Sequence, residues 1–198
     1  MMATRFVSIC LLAAGAVYGL ALSMNADSAS AKTLFDFTGP THAPIWQVVN
    51  DDVMGGVSSS RFSVTNGIAV FRGDVSLENN GGFASVRSLP ARHDLAGCDA
   101  FLIRVRGDGH RYKFTARIDR TFDNPIYQAS FPTKPGEWTE LRLPMNDFVP
   151  TFRGRVLSGE PPLDPAKVTS VGFLISDKQA GPFQLEVAWI KATPRVGK

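Results

Sequence analysis

Cysteine is almost missing. The 198 residues hold two, Cys10 and Cys98. Cys10 lies in an apolar N-terminal run, so the rest of the chain has one thiol and no intramolecular disulfide can staple it. The fold must stand on packing, for which about 165 residues are enough. Cys98, between Gly97 and Asp99 and just ahead of an apolar stretch, has the setting of a half-buried small hydrophobe rather than a reactive thiol. Histidine is as scarce. His42, His93 and His110 sit in turn-like segments without the spacing of a zinc site such as His-Glu-x-x-His, and neither a Gly-x-Ser-x-Gly elbow nor a Gly-Lys-Ser/Thr phosphate loop occurs. No catalytic residue and no cofactor is therefore expected. Strong charge is lacking too: 21 Lys and Arg against 18 Asp and Glu give +3. That is too mild for a nucleic-acid binder, while permitting weak attraction to anionic surfaces.

Helical periodicity is absent from Lys32 onward, where all 13 prolines punctuate the chain. Before Lys32 the pattern differs. Arg5 precedes an uncharged apolar run from Phe6 to Leu22, and Ala29-Ser30-Ala31 supplies a small-x-small site. These features predict a signal segment over residues 1–31, cut between Ala31 and Lys32, and a single domain over 32–198. The chain is then expected to be exported, periplasmic or extracellular, the alternative being an uncleaved membrane anchor. A mitochondrial presequence would instead be Arg-rich and amphipathic. Removing the segment takes away Arg5 and Asp27 and leaves the charge at +3.

Short alternating runs fill the remainder: 34–37, 61–64, 68–72, 83–87, 101–106, 112–119, 126–131, 138–143, 168–175 and 183–191. In Tyr112, Phe114, Ala116 and Ile118 one face is apolar, while Lys113, Thr115, Arg117 and Asp119 make the other polar, because successive strand side chains point to opposite sides. Asn66-Gly67 marks a hairpin, since both residues tolerate positive φ; Gly107-Asp108-Gly109-His110 reads as a second. The stretch Pro144–Pro165 has no strand pattern, and Asp164-Pro165-Ala166-Lys167 reads as a capped single helical turn. Many short strands with apolar faces to cover imply an all-β fold, a jelly-roll sandwich of two antiparallel sheets. Trp46, Trp138 and Trp189 could stack on sugar rings, but Trp on an alternating strand more commonly belongs to the core.

Two loops stand out. The first, Trp46-Gln47-Val48-Val49-Asn50-Asp51-Asp52-Val53-Met54-Gly55-Gly56-Val57-Ser58, puts adjacent carboxylates beside paired glycines and hydroxyls in what reads as one loop. One reading is a ligand or Ca²⁺ site built on Asp51 and Asp52. The other is an Asx-type turn, with carboxylates accepting backbone N–H groups and glycines supplying positive φ. Adjacent carboxylates pointing different ways do not suit glycoside hydrolysis. The second loop, Glu78-Asn79-Asn80-Gly81-Gly82-Phe83, precedes a strand ending in Arg87; if the loops meet, Asn79, Asn80 and Glu78 could complete a polar cup, with Arg87 a further candidate partner-binding residue, while turn formation is the commoner use of Asn-Gly. Separately, Arg104, Arg106, Arg111, Lys113, Arg117 and Arg120 outnumber Asp108 and Asp119 by four around the second expected hairpin. Arg104, Arg106, Lys113 and Arg117 then form either an anionic-partner surface, for lipid headgroups, acidic glycans or an acidic protein, or a solvated outer face.

Trp46 through Ser58, Phe71-Arg72-Gly73 and Leu77 through Arg87 closely resemble the complex I intermediate-associated protein 30 family, and the likeness continues through Trp138–Pro144, Asp147-Phe148, Arg153-Gly154, Gly172–Asp177 and Gly181-Pro182-Phe183. The resemblance implies a galactose-binding-like jelly roll. For the mitochondrial members it implies a chaperone-like role in assembling respiratory NADH dehydrogenase, hence a protein partner such as a membrane-complex subunit. It brings no catalytic residue. The same architecture also admits a secreted carbohydrate- or ligand-binding module.

Overall fold

The computed structural model describes residues 31–38, 46–121 and 124–194. The expected leader over residues 1–31, apart from Ala31, and His42 lie outside the described residues. Thirteen strands follow in order: β1 Lys32–Asp36, β2 Trp46–Asn50, β3 Ser59–Thr65, β4 Ile68–Val75, β5 Ala84–Ser88, β6 Cys98–Arg106, β7 Arg111–Arg117, β8 Ile126–Pro132, β9 Trp138–Pro144, β10 Val149–Phe152, β11 Arg155–Val156, β12 Ser170–Ile175 and β13 Gly181–Pro194. They form two antiparallel sheets packed face to face, the expected jelly-roll sandwich. One sheet runs β3-β4-β13-β6-β9 with β1 also on β13; the other runs β11-β10-β8-β7-β12-β5-β2.

Alternation explains the packing. Phe101, Ile103 and Val105 of β6 point inward from one sheet, and Tyr112, Phe114 and Ala116 of β7 from the other, all essentially without solvent contact. Phe114 sits at the centre, its ring 5.0 Å from Phe101, 5.4 Å from Phe173 and 6.2 Å from Phe148. The long strand β13 serves two neighbours along one side: Gly181–Val187 pair with β4, and the half beyond a bulge at Ala188 pairs with β1. Asn66 (φ 52°) and Gly67 (φ 76°) turn β3 into β4. Asp164 caps the short 3₁₀ turn Pro165–Lys167, its carboxylate accepting from the Ala166 N–H at 3.0 Å.

Four expectations change. Trp46-Gln47-Val48-Val49-Asn50 is a strand, β2, at the edge of the seven-stranded sheet, and the stretch from Pro144 to Pro165 contains β10 and β11. Trp46 packs on the core beside Phe35 and Phe62, whereas Trp138 and Trp189 pair with outward-facing Arg106 and Arg104 on the outer side of the six-stranded sheet. The Gly107–His110 segment is no hairpin, because β6 and β7 belong to different sheets; it is a corner that carries the chain across the sandwich.

Asp108 holds that corner. Its carboxylate accepts the Gln184 N–H at 2.6 Å, the His110 N–H at 3.1 Å and the Tyr112 hydroxyl at 3.0 Å. Burial alone would raise its pKa, but the Gln184 and His110 N–H groups and these side chains outweigh it and hold the carboxyl below its ordinary value. Tyr112, buried and facing that carboxylate, is pushed well above the usual phenol range.

The packing gives a direct expectation. Phe114→Ala leaves a cavity among three other aromatic rings and should lower unfolding free energy by about 3–5 kcal/mol, measured by urea denaturation. A loss below about 1 kcal/mol would mean that the site collapses around the missing ring.

Candidate functional site

The two glycine-paired loops meet, and Asp51 joins them. The backbone closes a 3₁₀ turn over Asp51–Met54, with the Gly55 N–H on the Asp52 carbonyl and the Gly56 N–H on that of Asp51. The turn drives the Asp51 side chain inward until the residue is only 1% exposed. There its Oδ1 accepts the Ser58 N–H at 2.9 Å, and its Oδ2 accepts the Ser58 hydroxyl at 2.5 Å, the Gly82 N–H at 2.6 Å and the Phe83 N–H at 3.2 Å. Ser58 extends the link by accepting the Ser76 N–H at 3.0 Å. Burial works against the charge, but the Ser58 hydroxyl and the N–H groups of Gly82, Phe83 and Ser58 overcome it, and the pKa lies below the ordinary carboxylate value.

Each glycine pair divides its work. Gly55 (φ 88°) and Gly82 (φ 130°) take the left-handed backbone that an L side chain strains to adopt. Gly56 and Gly81 do not; a Cβ at Gly56 would overlap the Asp51 carboxyl group, and one at Gly81 would lie 2.6 Å from Asp51 Oδ2. Positive φ, the property expected of the glycines, therefore accounts for one member of each pair. The other leaves room for a carboxylate.

This geometry favours the turn-holding reading of Asp51 over the Ca²⁺ reading. Both oxygens face hydrogens already, and a cation would meet the same donors. Asp52 is exposed at the loop surface, and Asn79 (φ 53°) and Asn80 (φ 60°) are exposed turn residues. Among the described residues no three His, Cys, Asp or Glu side chains gather as a metal site. The loops instead expose apolar side chains that sequence reasoning passed over: Val53, Met54, Val57 and Leu77.

The cations do not form one surface. Arg104 and Arg106 face outward from the six-stranded sheet, where they pair with Glu140 and Glu186 and lie 5.7 and 5.0 Å from the Trp138 ring centre. Lys113 faces outward from the seven-stranded sheet and bonds Asp177 at 2.7 Å and Ser176 at 3.0 Å. Arg117 and Arg87 lie on that same face, on either side of β12. Burial and then Arg117 push Arg87 down to about 10, still charged at neutral pH. The expected basic surface is thus corrected: the corner at 107–110 sends Arg104 and Arg106 to one side of the sandwich and Lys113 and Arg117 to the other.

Residues 35–187 match the family model for complex I intermediate-associated protein 30. The chain belongs to this family. Relatives of that name include the mouse protein, 29% identical over 81% of this chain and 55% of its own length, and the Neurospora crassa protein, 31% identical over 63% of this chain and 51% of its own. The chain thus spans about half the length of these complex I intermediate-associated protein 30 relatives. Among solved structures, the family 11 carbohydrate-binding module of a Clostridium thermocellum cellulosomal cellulase superposes with a TM-score of 0.63 at 16% identity, over 85% of this chain and 96% of the module. The same module in complex with a mixed-linked tetrasaccharide gives 0.62. At that identity the likeness is one of fold.

The comparisons correct one expectation. The mouse, Neurospora and Drosophila members of the complex I intermediate-associated protein 30 family are mitochondrial by name, which overturns a periplasmic or extracellular destination. An apolar N-terminal run with one cation reports a hydrophobic segment, and that alone does not specify which membrane receives it.

Asp51 generates two expectations. Asp51→Ala removes an acceptor from three N–H groups and a hydroxyl and should cost about 3 kcal/mol in unfolding free energy. Its native pKa lies below the unfolded value near 3.9, so its contribution is full above that value and is lost as pH falls through the lower native one; the variant should flatten the acid limb of the stability profile below about pH 5. Gly56→Ala should destabilise the wild type, and by at least about 1 kcal/mol less in the Asp51→Ala background, where the opposing carboxylate is gone. Simple additivity in that cycle would show that the two positions do not meet.

Proposed function

We propose that this chain is a non-catalytic, protein-binding domain that assists assembly of respiratory NADH dehydrogenase, complex I. The supporting observation is the extent of the family match: residues 35–187 run from within β1 to within β13. The likeness therefore includes both sheets and the two loops that Asp51 joins, rather than a shared strand or turn. The partner is a subunit of the membrane complex under construction. The chemistry of the site is consistent with docking: its buried carboxylate is committed to holding loops, while the apolar side chains beside it face outward.

Glycan binding is the competing use of the same sandwich. It would employ an open aromatic face, and the outward-facing candidates are Trp138 and Trp189. Arg104 and Arg106 lie over the Trp138 ring, and the Lys191 ammonium is 4.4 Å from the Trp189 centroid. Cations therefore occupy positions where a sugar ring would stack.

Deleting the chain in its own cells should lower fully assembled complex I and accumulate a smaller intermediate on native gels, with recovery on re-expression. Normal complex I levels, together with retention of the purified protein on mixed-linked glucan, would overturn the assembly reading in favour of the glycan one.

A further inference from the structure

The exposed apolar side chains are concentrated. Of seven large hydrophobic residues exposed on the described surface, four lie on the two Asp51-joined loops: Val53 at 68%, Met54 at 63%, Val57 at 51% and Leu77 at 44%. Their backbone is fixed from beneath by the four hydrogen bonds to Asp51 and by the turn-closing Gly55, Gly56 and Gly81 N–H bonds. Apolar groups held rigidly in water lose little backbone freedom on association, so more of the contact energy appears as affinity. Clustered exposure of this kind marks interaction surfaces.

Charge narrows the occupant. The two loops, residues 51–58 and 76–83, contain Asp51, Asp52 and Glu78 but no Lys or Arg, on a chain whose net charge is +3; Arg61 and Arg72 lie beside Asp74 on the β3–β4 pair next to them. Asp52 and Glu78 are exposed. An anionic lipid surface would be repelled by this rim, and a second copy docking through the same face would oppose acid to acid.

We infer that the paired loops form a docking knob, with Val53, Met54, Val57 and Leu77 entering an apolar groove of a protein partner whose edge carries Lys or Arg opposite Asp52 and Glu78. The identity of that partner as a complex I subunit rests on the proposed function; the knob itself rests on exposure, rigidity and charge. The arrangement separates roles within a few residues. Asp51 and the glycines set the shape, the apolar side chains supply contact area, and the acidic rim selects the partner and its orientation.

The test places a photo-crosslinking residue, p-benzoylphenylalanine, at Met54 or at exposed Ser130 of β8 as a control, in the full chain expressed in its own cells. Irradiation should yield a discrete protein adduct from position 54 and not from 130, and the crosslinked peptide should be apolar and flanked by Lys or Arg. Val53→Asp with Leu77→Ser should leave the unfolding midpoint unchanged and weaken capture of that identified partner by about tenfold or more. Adducts only to lipid, only to a second copy, or to nothing at position 54 would overturn the knob. A complex I subunit crosslinked from 130 but not from 54 would also overturn it while leaving the assembly reading intact. A partner outside complex I carrying the stated groove would uphold the knob and overturn the assembly reading.

Discussion

A carboxylate removed from water needs donors around it, and at Asp51 the chain supplies them from two loops far apart in sequence. Ser58 contributes from seven residues away and Gly82 from thirty-one. Removing a donor or the acceptor leaves a polar group buried without its partner, and that penalty exceeds the modest net gain of an ordinary hydrogen bond. The loops are therefore coupled: neither can rearrange without exposing the other's interior polar groups. Gly56 and Gly81 belong to the same constraint, because the carboxylate occupies the space a side chain there would need.

Asp108 repeats the device at the corner between the two sheets. There the carboxylate ties the β6–β7 corner to Gln184 of β13 and to the Tyr112 hydroxyl. Two sheets that meet only through apolar side chains could slide. Directional bonds at a corner and at a loop pair fix their relative placement, which dispersion and burial alone determine less sharply. The consequence reaches the surface, since the corner decides that Lys113 and Arg117 emerge on one side of the sandwich and Arg104 and Arg106 on the other.

Local physics made much of the fold legible. The period-2 pattern in Tyr112–Arg117 reports a half-buried strand because it depends only on which side chains need cover. Asn66-Gly67 reports a turn because it depends on backbone sterics, and Asp164 reports a cap through a bond two residues long. The corner at 107–110 is not legible: Gly-Asp-Gly-His serves a hairpin or a sheet change equally well, and the deciding bond to Asp108 is donated by the N–H of Gln184, seventy-six residues on. β2 was hidden for a related reason, its Val48-Val49 pair giving no clean alternation. At the site, the sequence offered a carboxylate between glycines but not its direction. Once the 3₁₀ turn carries Asp51 inward, the neighbouring Val53 and Met54 are the side chains left outside.

That inversion connects the structure to its proposed use. A motif with adjacent carboxylates invites a search for a ligand at the charge, yet the buried charge here is scaffold. Its hydrogen bonds hold the backbone of the loops that carry the exposed apolar groups. An enzyme or a metal site would need those oxygens free to exchange partners with substrate or ion; a docking surface needs them satisfied, because rigidity is what lets a small apolar area discriminate among partners. The acidic rim then acts at the edge of the contact, where partial solvation keeps its desolvation cost low and its orientation effect intact. Shape from Asp51, contact from Val53 and Met54, and polarity from Asp52 and Glu78 thus arise from one short run and the loop it grips.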